Sequence, residues 1–352
     1  MLPQLGTNTS ETGKSGPELR VVAIGGGTGL STLLKGLKRY VVSPALAATG
    51  QPIIRELCGV VTVSDDGGSS GRLRKEFNML APGDVRNCIV ALSEDEALLS
   101  RLFQHRFQKG SGLEGHSFGN LFLAALTSIT GDFAEAVRLS SEILLTRGHI
   151  YPATTSSVEL EAVLEDGTRV RGETRITASK GKIQELCLVP PDVQPLPQTL
   201  EAIAGADLIT IGPGSLFTSL TPNLLVHGIS QAILESHAIK VFVCNLMTQA
   251  NESLSLSAAD HIRALNDHAG VQLFDYALIN RKTASSELKA KYALEGASQI
   301  VVDLEAIEAI GVCPVLGDYL DEGTVARHAT ERVAHDLMAL MAQAPDRQTV
   351  RN

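Results

Sequence analysis

The chain has no excess of positive charge: 30 Lys and Arg stand against 39 Asp and Glu, for a net charge of −9. That balance argues against a nucleic-acid footprint or a polybasic membrane surface, and it leaves local backbone and a few cations to hold any anionic ligand. The five cysteines (Cys58, Cys88, Cys187, Cys244 and Cys313) are scattered and form no C-x-x-C pair. Neither a zinc site nor a disulfide framework is indicated, and reduced, mostly buried thiols are expected. No apolar run approaches the roughly 20 residues that cross a bilayer, so no membrane insertion is expected. The first residues lack a basic start followed by an apolar core and do not resemble a secretory signal, so a cytoplasmic location is expected. H-E-x-x-H, G-x-S-x-G, a Ser-His-Asp order and a Cys/His ligand cluster are all missing, as is the G-K-[ST] of a P-loop.

What is present is a 44% hydrophobic composition, ample for a core. Arg20–Ile24 and Leu57–Val63 are predicted as buried strands, with a helix over Leu30–Tyr40 between them, which makes a βαβ unit. Helices are predicted over Asp84–Ser93, Glu94–Phe107 and Phe118–Ile129, the last apolar nearly all round and hence expected to be buried. From Val158 to Leu188 the residues alternate around an Asp166-Gly167 turn, predicting an antiparallel insertion at about 156–190. The parallel pattern resumes at Asp207–Ile211 and Lys240–Cys244, with Asn223–Ser236 as the crossover helix. Tyr276–Ile279 and Gln299–Asp303 are further strand candidates, and Val325–Met341 a closing helix. The expected fold is α/β: a Rossmann-like, doubly wound, mostly parallel sheet with a small antiparallel insertion, one domain over 20–342. Residues 1–19 and 343–352 are expected to be flexible tails.

Four polar or glycine-rich loops fall at predicted strand ends, where a doubly wound sheet binds its ligand. The first, Gly25-Gly26-Gly27-Thr28-Gly29, reads as a phosphate-binding turn or as a tight strand-to-helix turn. The second, Ser64 to Arg74, carries Asp65 and Asp66, which could hold Mg2+ beside phosphates, and Arg72 and Arg74 as cations; a solvated Asp-Gly turn is the plain alternative. At a helix start between them and the others, Ala81 to Asn87, Asp84 is expected to cap the helix that follows, while Arg86 and Asn87 are candidates to reach the crevice. Gly212, Gly214 and Ser215 after one strand, and Asn245 and Gln249 after the next, suit a phosphate or sugar cradle and amide recognition of sugar or base. A further nest, Gly115 to Asn120, offers His116 as an acid or base and Asn120 as a ligand contact. A hydrogen-bonded structural histidine and a helix-capping Ser117 are the simpler readings. Asp65, Asp66 and His116 are thus the candidates for chemistry.

The motifs G-G-G-T-G-L-S-T-L-L-K-G-L-K (25–38), V-S-D-D-G-G-S-S-G-R-L-R (63–74), P-G-D-V-R-N (82–87), G-H-S-F-G-N (115–120), I-T-G-D-F (129–133), I-G-P-G-S-L-F-T-S (211–219) and C-N-L-M-T-Q (244–249) together resemble the YvcK-type gluconeogenesis factors. These are related in fold to the CofD phospholactate transferases, and the likeness runs from about Arg20 to Leu337. It implies a cytoplasmic, Rossmann-like protein that binds a nucleotide sugar, typically UDP-N-acetylglucosamine, and supports cell shape and wall synthesis during growth on gluconeogenic carbon sources. It also implies roles in nucleotide-sugar binding for Tyr292, in K-A-K-Y-A, and for Arg327, in R-H. Protein partners in wall synthesis or regulation, and a homo-oligomer, are compatible with it. After T-Q the chain reads Ala250-Asn251-Glu252-Ser253, where the family usually has a glycine and then Glu-Thr. The rival reading is a Mg2+-dependent transferase moving a phosphoryl-linked acid from a nucleoside diphosphate carrier, with Asp65 or Asp66 on the metal.

Overall fold

The computed structural model describes residues 17–42, 51–94 and 98–343. Of the expected tails at 1–19 and 343–352, residues 1–16 and 344–352 lie outside the described residues, whereas Glu18 and Leu19 belong to a strand and Gln343 to a helix; residues 95–97 of the expected helix Glu94–Phe107 also lie outside them, and Leu98–Gln104 of it is helical. The strands, in chain order, are β1 (Glu18–Gly25), β2 (Ile53–Val61), β3 (His149–Pro152), β4 (Glu159–Leu164), β5 (Arg169–Arg171), β6 (Ile183–Val189), β7 (Leu208–Ile211), β8 (Ile239–Val243), β9 (Tyr276–Asn280), β10 (Cys313–Gly317), β11 (Leu320–Glu322) and β12 (Ala326–His328).

Seven of these form a parallel sheet in the order β10-β9-β8-β7-β1-β2-β3. Its central strands are apolar on both faces because helices cover both faces: Val21, Val22, Ala23 and Ile24 of β1 and Leu208, Ile209 and Ile211 of β7 are buried. The chain winds outward from β1 to β3, returns to β7 beside β1, and winds outward the other way. The strand order therefore reverses between β1 and β7, the position where doubly wound sheets open a crevice at their carboxyl ends.

The antiparallel insertion forms a small sheet, β5-β4-β6, with Asp166 Oδ1 accepting from Thr168 N across the Gly167 turn. A short helix, Glu173–Ala178, links β5 to β6. Leu160, Ala162, Ile176, Leu186 and Leu188 bury this layer in the common core.

Several expectations need correction. Gln299–Asp303 is not a strand; Gln299 makes one isolated bridge to Met247. The closing helix runs over Thr330–Gln343, and Ala326–His328 instead pairs with β11 as a two-stranded strap. The crossover after β7 is not one helix but Leu216–Leu220 in π geometry, Thr221–Leu224, and Ile229–Glu235 after Gly228 at positive φ. The helix Phe118–Thr130 is not buried all round: Leu123 and Ala124 face the core, whereas Ile129 is 78% exposed. Residues 129–133 explain themselves locally, since Gly131 ends that helix in the left-handed region and Asp132 caps the next, Phe133–Ile143.

Candidate functional site

The glycine loops after β1 and β7 meet at the switch point. Helix Gly27–Leu37 begins directly after β1 and packs so close to the β7 loop that a Cβ on Gly29 would lie 2.2 Å from the Pro213 carbonyl oxygen. Gly27 and Gly212 hold φ of +61° and +87°, values that L side chains resist. Asn223, fully buried, stitches the two loops by donating Nδ2 to the carbonyls of Gly25 (3.1 Å) and Ser219 (2.8 Å).

Several of the amides in these loops are engaged by the chain itself. Asp84 does not cap its own helix, Gly83–Leu92, whose N-cap is Pro82; its carboxylate accepts from Gly27 N at the start of the first helix. Burial, reinforced by the nearby Asp65 charge, pushes the Asp84 carboxyl up to about 6. After β7, Glu252 Oε1 accepts from Phe217 N (2.8 Å) and Thr218 N (3.0 Å). Burial raises the Glu252 carboxyl, and these amide bonds oppose the rise. Asn245 clamps Gly214 from both sides, Oδ1 accepting from its N–H (3.1 Å) and Nδ2 donating to its carbonyl (2.7 Å). Gln249 Nε2 donates to Ser215 Oγ (2.9 Å) and leaves a buried Oε1 without a donor. Asn251 holds φ +60°, in the left-handed region, immediately before Glu252.

Two open lobes flank Thr28. The first, about 670 Å³, is lined by Gly26 to Gly29, Gly214, Ser215, Ser219, Asn245, Gln249 and Tyr292, with Glu173, Glu252 and Glu295 but no Lys or Arg among the described residues. The second, about 600 Å³, is lined by Thr28, Ser31, Thr32, Asn87, Lys35, Arg101 and Arg327, with no Asp or Glu among the described residues. The β11–β12 strap serves both: Ala326 and His328 line the first lobe, and Arg327, alternating with them, lines the second. Tyr292 holds the strap, its hydroxyl accepting from Ala326 N (3.1 Å). His328 Nε2 donates to the Cys244 carbonyl (3.0 Å), which leaves Nδ1 as the acceptor; burial holds the ring down at about 4, so it is neutral near pH 7.

Other expected site residues lie apart from these lobes. Arg72 Nη2 donates to the Glu114 carbonyl (2.7 Å), and Asn120 Nδ2 to Ser69 Oγ (3.1 Å). Ser69 Oγ also shares a hydrogen bond with His116 Nδ1 (2.9 Å), and burial and then Arg72 lower the His116 pKa. Ser117 is the helix cap, accepting from Asn120 N (3.2 Å). Gly25 is buried at the end of β1, and Gly212 packs on the Val243 carbonyl.

The paired carboxylates of the second loop have different tasks. Asp66 Oδ1 accepts from Thr174 N (2.9 Å) and Thr174 Oγ1 (2.6 Å), fastening the helix Glu173–Ala178 to the main sheet. Asp65 Oδ1 accepts from Gly67 N (2.8 Å), and its charge acts on Asp84. No group of three His, Cys, Asp or Glu side chains among the described residues is arranged to enclose a metal. Asp65 with Asp84 suits only the Mg2+ mode in which one or two carboxylates share the ion with waters and phosphate.

Glu173, from the insertion, faces the first lobe. Burial and the charges of Asp65, Asp84, Asp66 and Glu252 push its carboxyl up to about 9, so it carries a proton at neutral pH. Neither Glu173 nor Arg101 stands out in the sequence: one sits in a hairpin connection and the other on a helix flank. The R-H doublet did hold a signal for His328, since two polar residues in succession on a strand serve opposite faces.

The sequence profile of the CofD family, described as 2-phospho-L-lactate transferase CofD, matches residues 21–320. A gluconeogenesis factor of Halalkalibacterium halodurans is 49% identical over 320 residues, 90% of this chain and 95% of that protein. The gluconeogenesis factor of Bacillus subtilis is 45% identical over 330 residues, 93% of this chain and all of that protein. A crystal structure of a Bacillus halodurans protein superimposes with a TM-score of 0.86 at 47% identity, covering 91% of this chain and 99% of that one.

Proposed function

The chain belongs to the CofD family, and on that premise we propose that it binds a nucleotide sugar of the UDP-N-acetylglucosamine type in the switch-point cleft without turning it over. In this reading it is a cytoplasmic regulatory factor for morphogenesis and wall synthesis on gluconeogenic carbon sources, in keeping with the name its relatives carry. The observation that carries the reading is the strap: Tyr292 fixes β12, and β12 delivers His328 and Arg327 to the two lobes beside the glycine loops. Arg327→Ala is expected to weaken UDP-N-acetylglucosamine binding by about 1.5–3 kcal/mol, the scale of a hydrogen bond to a charged group. Titration calorimetry giving an unchanged affinity would remove Arg327 from the site.

A Mg2+-dependent transferase remains the second reading, favoured by one observation: the Asp65 charge lies near enough to the buried Asp84 carboxyl to help raise it, beside the first glycine loop. Mg2+ there would screen phosphate charge, while Asp65 and Asp84 would orient the ion. Release of a nucleoside monophosphate from a nucleoside diphosphate carrier in the presence of Mg2+, abolished in Asp65→Asn, would establish it.

A further inference from the structure

The two lobes carry opposite kinds of charged side chain. Among the described residues, the first has carboxyl side chains and no cation, and the second has cations and no carboxyl. Three of the amides that could have offset the first lobe's acidity, those of Gly27, Phe217 and Thr218, are directed at Asp84 and Glu252. A diphosphate placed there would meet Glu252 and Glu295 with no guanidinium or ammonium to neutralise it.

The second lobe has the opposite need. Arg101 comes from the helix Leu98–Gln104 and Arg327 from β12, elements far apart in sequence, yet both line the same space. Neither side chain has a hydrogen bond or ion pair among the described residues. Asp321 stands opposite Arg327 in the β11–β12 ladder but forms no ion pair with it. Two like charges lining one concave surface, with no carboxylate among its described lining residues, repel each other, and an oxyanion between them removes that cost. The Thr28, Thr32 and Asn87 side chains around them add neutral hydrogen-bonding groups.

We infer that the second lobe is the anion half of the ligand site: Arg101 and Arg327 hold the diphosphate of a nucleoside diphosphate sugar there, and an uncharged end crosses Thr28 into the first lobe. The inference deepens the nucleotide-sugar reading and rests on it for the identity of the ligand. It assigns Arg101 a binding role and moves the phosphates off the glycine amides. It gives the first lobe the neutral partner that its acceptors and the protonated Glu173 suit. Asparagine, glutamine, a neutral histidine and a carboxylic acid there match sugar or base hydroxyl and amide groups.

The test is calorimetric titration of the full chain with inorganic pyrophosphate and, separately, with UDP-N-acetylglucosamine, for the wild type, Arg101→Ala and Arg101→Lys. Both ligands are expected to bind the wild type and to lose about tenfold or more in Arg101→Ala, with partial recovery in Arg101→Lys, which keeps the charge but not the fork. Affinity should also fall as salt is raised, because the lobe is open to solvent. Equal UDP-N-acetylglucosamine affinity in wild type and Arg101→Ala would place the diphosphate elsewhere and overturn the inference while leaving the nucleotide-sugar reading intact. Arg101-dependent binding of pyrophosphate without binding of the nucleotide sugar would uphold the anion lobe and overturn that reading. Binding of neither would overturn both.

Discussion

Replacement of Gly29 by alanine sets two physical effects against each other at the junction of the glycine loops. Gly29 lies in the first turn of the helix Gly27–Leu37, where alanine ordinarily stabilises by about 1 kcal/mol through helix propensity. Its φ is not positive, so no backbone strain opposes the change. The new Cβ, however, would lie 2.2 Å from the Pro213 carbonyl oxygen, 2.6 Å from its carbon and 3.0 Å from Gly214 N. These are backbone atoms, unable to rotate away, and relief needs the helix start and the β7 loop to separate by about 1 Å. Overpacking of this kind costs about 1–3 kcal/mol, and the rigid neighbours put this case at the upper end. Net of propensity, Gly29→Ala should destabilise the fold by about 2 kcal/mol. Because the shifted loop carries the Asn245 clamp on Gly214, nucleotide-sugar affinity should fall as well. Urea unfolding followed by calorimetric titration measures both. A variant as stable as the wild type, or more so, with unchanged affinity would show that the two loops do not depend on close contact.

The remaining predictions concern the groups that hold the loops and strap. Glu252→Ala leaves the amides of Phe217 and Thr218 without their acceptor in a buried site and should cost about 2–4 kcal/mol in urea unfolding; a loss under about 0.5 kcal/mol would contradict the anchoring role. Tyr292→Phe removes the acceptor for Ala326 N, so amide exchange at Ala326 should accelerate and ligand affinity drop while global stability changes by only about 1 kcal/mol. Glu173→Gln should be more stable than the wild type at pH 8 by at least about 1 kcal/mol. A carboxyl raised in the fold stabilises it fully below the ordinary carboxyl value of 4.5 and loses that contribution as pH rises through about 9, so the advantage of the glutamine should vanish near pH 4. Parallel pH profiles for the two proteins would refute the buried, protonated state. His328 acts in the opposite sense: its ring, held at about 4, withdraws stability as pH falls from the usual histidine range toward 4.

Much of the fold was legible because its signals are local. The apolar runs of β1, β2, β7 and β8 announce strands buried on both faces, and glycines after β1 and β7 mark where the chain turns toward a ligand. The segments that misled were those whose structure is set from a distance. Residues 325–329 carry a helical pattern, yet β11 and the Tyr292 hydroxyl draw them into a strap. Gln299 to Asp303 has strand-like residues but is held by Met247 and by the helix Ala258–Ala269, Asp303 Oδ1 accepting from Ala259 N (3.0 Å). The site was legible at its loops and not in its division of labour. Asp65 and Asp66 are adjacent in sequence, but only the tertiary position of Thr174 turns Asp66 into a latch. Likewise, nothing in the spacing of Asp84 reveals that its carboxylate faces Gly27 rather than its own helix.

The account stands or falls on whether the cleft takes a nucleotide sugar and leaves it whole. Titration of the purified protein with UDP-N-acetylglucosamine, with and without Mg2+, followed by chromatography of the recovered ligand, measures this directly. Saturable binding with the ligand recovered intact is the predicted result; cleavage to a uridine nucleotide, or no binding under either condition, would contradict it.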